Sequence, residues 1–177
     1  VEAARDPAFP ATIALVLSNR ADAPGLAFAA ARGIATEVVD HRAHPSRQAF
    51  EAALDERLLA HRIELVACAG FMRILGVDFV GRWRGRILNI HPSLLPAYRG
   101  LDTHARALAD GATTHGCTVH ELTAELDAGP VILQAQVPVL AGDTAETLAA
   151  RVLAEEHRIY PEALALVARR LQAKTST

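Results

Sequence analysis

Short apolar runs alternate with helically spaced apolar positions through the first half of the chain. Thr12-Ile13-Ala14-Leu15-Val16-Leu17 reads as a buried strand, stopped by Ser18-Asn19-Arg20-Ala21-Asp22-Ala23-Pro24-Gly25. An alanine-rich helix then runs to Arg32, with Gly33 placed to end it. Residues 35–39 form a second strand. Ser46 is positioned to cap a helix reaching about His61, with Phe50, Leu54 and Leu58 one turn apart. Residues 64–69 and 86–90 read as a third and a fourth strand. The second half changes style. Residues 114–123 alternate, residues 131–139 form another strand broken at Pro138, and the two are expected to pair antiparallel. Asp143 or Thr144 caps a last helix through about Arg170, whose apolar stripe is Leu148, Val152, Ile159, Leu164 and Val167.

This order predicts an α/β fold: a Rossmann-like, mostly parallel twisted sheet with helices on both faces and an antiparallel C-terminal extension. Such sheets bind ligands beyond the carboxyl ends of their strands. With 177 residues, 51% of them hydrophobic, the chain suits one domain over residues 1–177. A net charge of −2 offers no basic face for nucleic acid or an acidic membrane surface. No apolar run approaches membrane-spanning length. Cys68 and Cys117 form no CxxC pair and read as two buried, reduced thiols of a cytoplasmic protein. The opening Val1-Glu2-Ala3-Ala4-Arg5-Asp6 resembles the tail of a helix, so a first strand is expected to be missing before it.

The richest stretch for chemistry is Ile87-Leu88-Asn89-Ile90-His91-Pro92-Ser93-Leu94-Leu95-Pro96, where an apolar strand meets a proline-punctuated loop. Asn89 and His91 stand two apart, so on a strand both side chains leave one face. A carboxamide can donate to a developing oxyanion, and an imidazole can move a proton near neutral pH. Glu125-Leu126-Asp127-Ala128-Gly129-Pro130 offers a carboxylate that would fix the imidazole's tautomer, although Asp127 also suits a simple turn. Ser93 lacks a Gly-x-Ser-x-Gly elbow, which argues against a serine nucleophile. His41, His44, His104, His115 and His120 show no zinc-ligand spacing, so no metal is expected. Arg47, Arg73 and Arg99 near strand ends have the geometry to hold carboxylates. Glu155-Glu156-His157 reads by itself as a solvated helix face.

Taken together, Ala69-Gly70-Phe71-Met72-Arg73-Ile74-Leu75, Leu88-Asn89-Ile90-His91-Pro92-Ser93-Leu94-Leu95-Pro96, His115-Gly116-Cys117-Thr118-Val119-His120 and Leu126-Asp127-Ala128-Gly129-Pro130-Val131-Ile132 closely resemble the phosphoribosylglycinamide formyltransferases, folate-dependent enzymes of purine synthesis. The resemblance runs in order from about Thr12 to Pro161. The Asn-x-His-Pro-Ser piece alone is similar also in methionyl-tRNA formyltransferases and formyltetrahydrofolate hydrolases. The resemblance implies a formyltransferase fold. It also implies direct formyl transfer from 10-formyltetrahydrofolate, as co-substrate, to the amine of N1-(5-phosphoribosyl)glycinamide through a tetrahedral intermediate. It implies Asn89, His91 and Asp127 as the catalytic set. Folate would bind at Arg47, Met72, Arg73, Ile74 and Leu75, at Asn89, and at Thr123, Ala124, Glu125, Leu126 and Asp127. Glu156 would hold the glycinamide substrate, and the loop 92–104 would close over the site.

The family pattern begins with a strand and a Gly-x-Gly-Ser-Asn loop that cradles a phosphate, whereas this sequence opens inside the following helix. That departure keeps an inactive folate-binding module open as an alternative, and the similarity at Asn-x-His-Pro-Ser keeps open a formyltetrahydrofolate hydrolase. The partners expected are small molecules, with no nucleic acid and no membrane, for a monomer or homodimer.

Overall fold

The computed structural model describes residues 1–175. In chain order it contains a 3-10 turn at Ala3–Arg5, β1 (Leu15–Ser18), α1 (Pro24–Ala30), β2 (Ala35–Val38), a 3-10 turn at His41–Ala43 and α2 (Arg47–Ala60). Then come β3 (Val66–Cys68), α3 (Val77–Arg82), β4 (Ile87–His91), α4 (Thr103–Ala109), β5 (Thr114–Glu121), β6 (Val131–Pro138) and α5 (Ala145–Thr175). Residue contacts divide the chain into two compact units, residues 1–64 with 75–82, and residues 65–74 with 83 onward.

In the first unit β1 and β2 pair in parallel, from Leu15 opposite Ala35 to Ser18 opposite Val38. The strand is shorter than the apolar run predicts because the ladder with β2 begins only at Leu15. Pro24 opens α1, where its fixed φ suits the first turn and its missing N–H costs nothing. Gly33, at φ 71°, closes the helix, with Ile34 N–H donating to Ala29 O and Gly33 N–H to Ala30 O. The Ser46 hydroxyl accepts from Ala49 N–H at 3.1 Å, as the capping pattern predicts, and α2 buries Phe50, Leu54 and Leu58. Glu51 is buried with them. Its carboxylate accepts from Gly76 N–H at 2.6 Å, which anchors the chain ahead of α3.

In the second unit the strand order is β3-β4-β5-β6. β3 and β4 are parallel, and β5 and β6 add antiparallel, which is the predicted extension. Register sorts the side chains into two faces. Leu88, Cys117, Val119, Ala135 and Val137 join Leu148, Val152, Ile159, Ala163 and Val167 of α5 in one buried cluster. At about 25 cal/mol per Å² this apolar burial is the main term holding α5 down. Tyr160 adds a polar tie, its hydroxyl donating to Cys68 O at 2.6 Å and lying 3.2 Å from Leu88 O.

Thr144 caps α5 reciprocally with Thr147: Thr144 N–H donates to Thr147 Oγ1 at 2.9 Å, and Thr147 N–H to Thr144 Oγ1 at 3.3 Å. Asp143 next to it grips Arg151 at 2.7 Å, and that guanidinium holds its carboxyl well below the ordinary range. The helix runs to Thr175, beyond the expected Arg170. α4 was not foreseen, and it begins at Thr103 inside the stretch read as a loop to residue 104. Seven residues are too short for periodicity to betray a helix. No helix among the described residues is long and apolar enough to cross a membrane.

Candidate active site

The sheet face opposite the α5 cluster is polar. Asn89 lies directly across from His120 in the β4–β5 ladder, and His91 across from Thr118. Facing positions of an antiparallel pair put their side chains on one side of the sheet, so these four converge. Asp127 reaches the same place from the turn between β5 and β6, where it holds φ 48°. Its Oδ2 lies 3.4 Å from His91 Nδ1 and accepts from Gly100 N–H at 2.9 Å; its Oδ1 lies 3.8 Å from His120 Nε2. The His91 and Asp127 side chains are only 7% and 8% exposed, so their interaction is little screened by water.

His91 Nε2 donates to the Tyr98 carbonyl oxygen at 2.9 Å. A carbonyl can only accept, so Nε2 carries a hydrogen and Nδ1 is the nitrogen turned to the carboxylate. His120 Nδ1 lies 3.0 Å from Glu121 O, and its Nε2 lies 3.4 Å from Asn89 Nδ2. Burial pushes the His120 pKa down, against the pull of the Glu121 carbonyl and the Asp127 charge.

The loop after β4 is pinned from below by one hydroxyl. Thr118 Oγ1 donates to Ser93 O at 2.7 Å and accepts from Leu95 N–H at 3.0 Å and Gln134 Nε2 at 2.9 Å. Ser93 itself is buried and donates to Ala97 O at 2.6 Å, so its hydroxyl is spent on the loop. Both cysteines are free and buried, and burial pushes each thiol up to about 12. Neither the Ser93 hydroxyl nor either thiol therefore stands ready as a nucleophile. A shallow cavity of about 160 Å³ opens beside Asp127, lined by Leu95, Pro96, Arg99, Ala128, Gly129 and Val131. Among the described residues no group of three or more His, Cys, Asp or Glu side chains is arranged to hold a metal.

The sequence profile of the formyl transferase family matches residues 1–164. The chain belongs to the formyl transferase family. Its relatives include the phosphoribosylglycinamide formyltransferase of Escherichia coli (strain K12), 48% identical over 161 residues, covering 91% of this chain and 76% of that protein. The trifunctional purine biosynthetic protein adenosine-3 of Bos taurus is 48% identical over 168 residues, or 95% of this chain. The match spans 17% of that much longer protein. The crystal structure of glycinamide ribonucleotide transformylase 1 from Symbiobacterium toebii superimposes with a TM-score of 0.92 at 52% identity, covering 95% of this chain and 79% of that one. The α/β formyltransferase fold is thereby shared.

In this formyl transferase chain Asn89, His91 and Asp127 come together as the sequence predicts, although the last two stand 36 positions apart. Thr123, Ala124, Glu125 and Leu126 lead into Asp127; Thr123 Oγ1 donates to Glu125 O at 3.1 Å, and Glu125 pairs with Arg99 at 2.9 Å. Glu156 on α5 departs from the plain solvated-face reading. It is half-buried, burial pushes its carboxyl up, and the charges of His157 and His91 pull it back. Met72 and Ile74 are exposed apolar side chains of the second unit, with Arg73 between them. Leu75 is buried in the first unit, where Arg47 lies 3.6 Å from Glu51 on its own helix.

His120 was missed as a site residue. Residue type marked it only as a non-ligand, and its cross-strand pairing with Asn89 depends on a register that a single strand pattern does not carry.

Proposed function

We propose that the chain transfers a formyl group from 10-formyltetrahydrofolate to the amine of N1-(5-phosphoribosyl)glycinamide, a step of purine biosynthesis. The observation that carries this reading is the convergence of Asn89, His91 and Asp127 in a nearly dry site where the Ser93 hydroxyl is already engaged. The names of the relatives at 48% identity support the same chemistry. The family match runs through both units, which supports reading residues 1–177 as one domain.

The residues fit a formyl carbonyl. As the amine attacks, negative charge grows on the formyl oxygen, and it needs donors fixed in advance. Asn89 offers amide N–H and His91 offers Nε2–H. Each such donor contributes about 3 kcal/mol in comparable oxyanion sites. The Tyr98 carbonyl now accepts the His91 hydrogen, so the incoming oxygen takes its place as acceptor, and residue 98 withdraws with its loop. The donating form of His91 is the protonated ring, with a hydrogen on each nitrogen: Asp127 accepts from Nδ1–H and relays the proton from attacking to leaving nitrogen.

Within the second unit, Met72, Arg73, Ile74 and the turn 123–127 are assigned to the folate. The exposed apolar side chains of Met72 and Ile74 suit a flat, largely apolar ring. Glu156 is assigned to the glycinamide substrate, whose hydrogen-bond donors its half-buried carboxyl group can accept. Two free cysteines favour a reducing compartment such as the cytoplasm.

The test follows formyl transfer and formate release with and without the amine acceptor. Transfer should need the acceptor, and His91→Ala should lower kcat by on the order of 10²–10⁴-fold with little change in folate affinity. Formate released at the same rate without acceptor would make the chain a hydrolase instead.

A further inference from the structure

His120 faces Asn89 across the ladder, and the chemistry above gives it no task. Its ring is 2% exposed. Because Glu121 O can only accept, Nδ1 carries the hydrogen. The neutral ring then presents the Nε2 lone pair to the Asn89 carboxamide 3.4 Å away. Only the NH₂ end of that carboxamide can meet a lone pair. Turned over, Asn89 would set its own oxygen against Nε2. One Asn89 N–H is thus taken by His120, and the other remains as a donor.

We propose that His120 is a positioning residue: held as the neutral Nδ1–H tautomer by the Glu121 carbonyl, it fixes the Asn89 carboxamide so that N–H, not oxygen, faces the reacting carbonyl. The consequence for turnover rests on the formyl-transfer reading, whereas the tautomer and the carboxamide orientation rest on geometry alone.

The surroundings hold Glu121 O in place. Glu121 N–H donates to Pro130 O at 2.9 Å, and its side chain pairs with Arg170 of α5 at 2.8 Å. A Cβ on Gly129 would overlap the Glu121 carbonyl oxygen, so only glycine lets the returning turn pass this close. The charged and titratable groups around the ring are His91 from β4, Asp127 from the turn and Glu121 from its own strand. Burial outweighs Asp127, and the charge of His91 adds to burial, so the ring stays neutral near pH 7. Protonation in acid would put a hydrogen on Nε2, repel the Asn89 NH₂ and turn the carboxamide over, with Asp127 Oδ1 at 3.8 Å as the new partner.

Two measurements on the full chain test this. Long-range ¹H–¹⁵N spectra should show His120 as the Nδ1–H tautomer at about pH 7, with the Asn89 side-chain amide shifting as that ring titrates. In assays His120→Phe should lower kcat by roughly 10–100-fold with the folate KM within about 3-fold, since a donor needed mainly in the transition state is misaimed. His120→Gln, whose carbonyl can accept the same N–H, should recover most of kcat and lose the acid limb that belongs to His120. An Nε2–H tautomer overturns the proposal. So does His120→Gln as slow as His120→Phe when both keep the wild-type thermal midpoint. A chain that transfers no formyl group yet shows the Nδ1–H tautomer and the coupled Asn89 amide overturns the functional reading and supports the positioning role.

Discussion

Among the described residues Asn, His and Asp come together just past β1 and β2, and again on β4 and the turn after β5. Beyond β1 and β2, Asn19 Nδ2 lies 3.2 Å from His41 Nδ1, and Asp40 lies 3.8 Å from the same nitrogen. At β4 the set is Asn89, His91 and Asp127, with His120 between the first and last. The residue types match and the surroundings do not. Arg42 chelates Asp40 through Nη2 at 2.7 Å and Nε at 3.0 Å, and holds its carboxyl well below the ordinary range. Water reaches that pair, since the Asp40 side chain is 32% exposed. Among the described residues the ion-pair partners of Asp127 are two imidazoles, in a place water scarcely reaches. A carboxylate already answered by a guanidinium has little left to give a neighbouring ring. One whose charged partners are imidazoles, beside the Gly100 N–H, can orient them and take part in proton transfer.

The sharpest way to break this comparison is to neutralise each carboxylate in turn. Asp127→Asn should cut kcat for formyl transfer by on the order of 10²–10⁴-fold while folate affinity stays within a few-fold. Asp40→Asn should leave kcat within about 2-fold, because it touches no reacting atom. Comparable losses from both variants would erase the distinction.

Next come the hydrogen bonds beneath each set. Thr118→Val strands Ser93 O, Leu95 N–H and one Gln134 partner in the interior, and should cost roughly 2–4 kcal/mol in urea unfolding. Ser18→Ala removes only an acceptor for Arg20 N–H near the surface and should cost about 0.5 kcal/mol or less.

A smaller effect separates the regions by pH. Burial lowers the pKa of His104, His115 and His120, all in the second unit, from the ordinary 6.5. In that window the unfolded chain binds more protons than the folded one, so stability is full above 6.5 and drains as the pH falls toward the folded values. Glu156 runs the other way. Its raised pKa adds stability below the ordinary 4.5 that is lost as the pH rises through the folded value. Three histidines against one glutamate predict a falling urea midpoint from pH 7 to about 5.5. A flat profile over that range would count against the buried neutral rings. The smallest effect belongs to Arg42→Ala, which should move the thermal midpoint by no more than about 1–2 °C because the pair is solvated.

Much of this was legible beforehand, for local reasons. Ser46 and Gly33 mark helix ends because a capping hydroxyl and a left-handed backbone are demands of single residues. The parity of Asn89 and His91 follows from the pleat of one strand. Apolar spacing in residues 145–170 announced α5 and its buried stripe. What escaped was non-local. α4 is too short to show a period, and Glu51 is buried because Gly76, 25 residues on, needs an acceptor. Thr118 reads as an ordinary strand threonine until Ser93, Leu95 and Gln134 all close on its hydroxyl.

The sequence by itself determined which groups are present, the period of each element and the face of β4 on which Asn89 and His91 stand, since these depend on covalent geometry and near neighbours. Only the tertiary structure decided that His120, and not another of the eight histidines, stands beside Asn89. It alone decided that Asp127 escapes the guanidinium that occupies Asp40. Register and burial are set when distant strands pair and the core closes, and they determine which of several chemically identical side chains lies in a low-dielectric site.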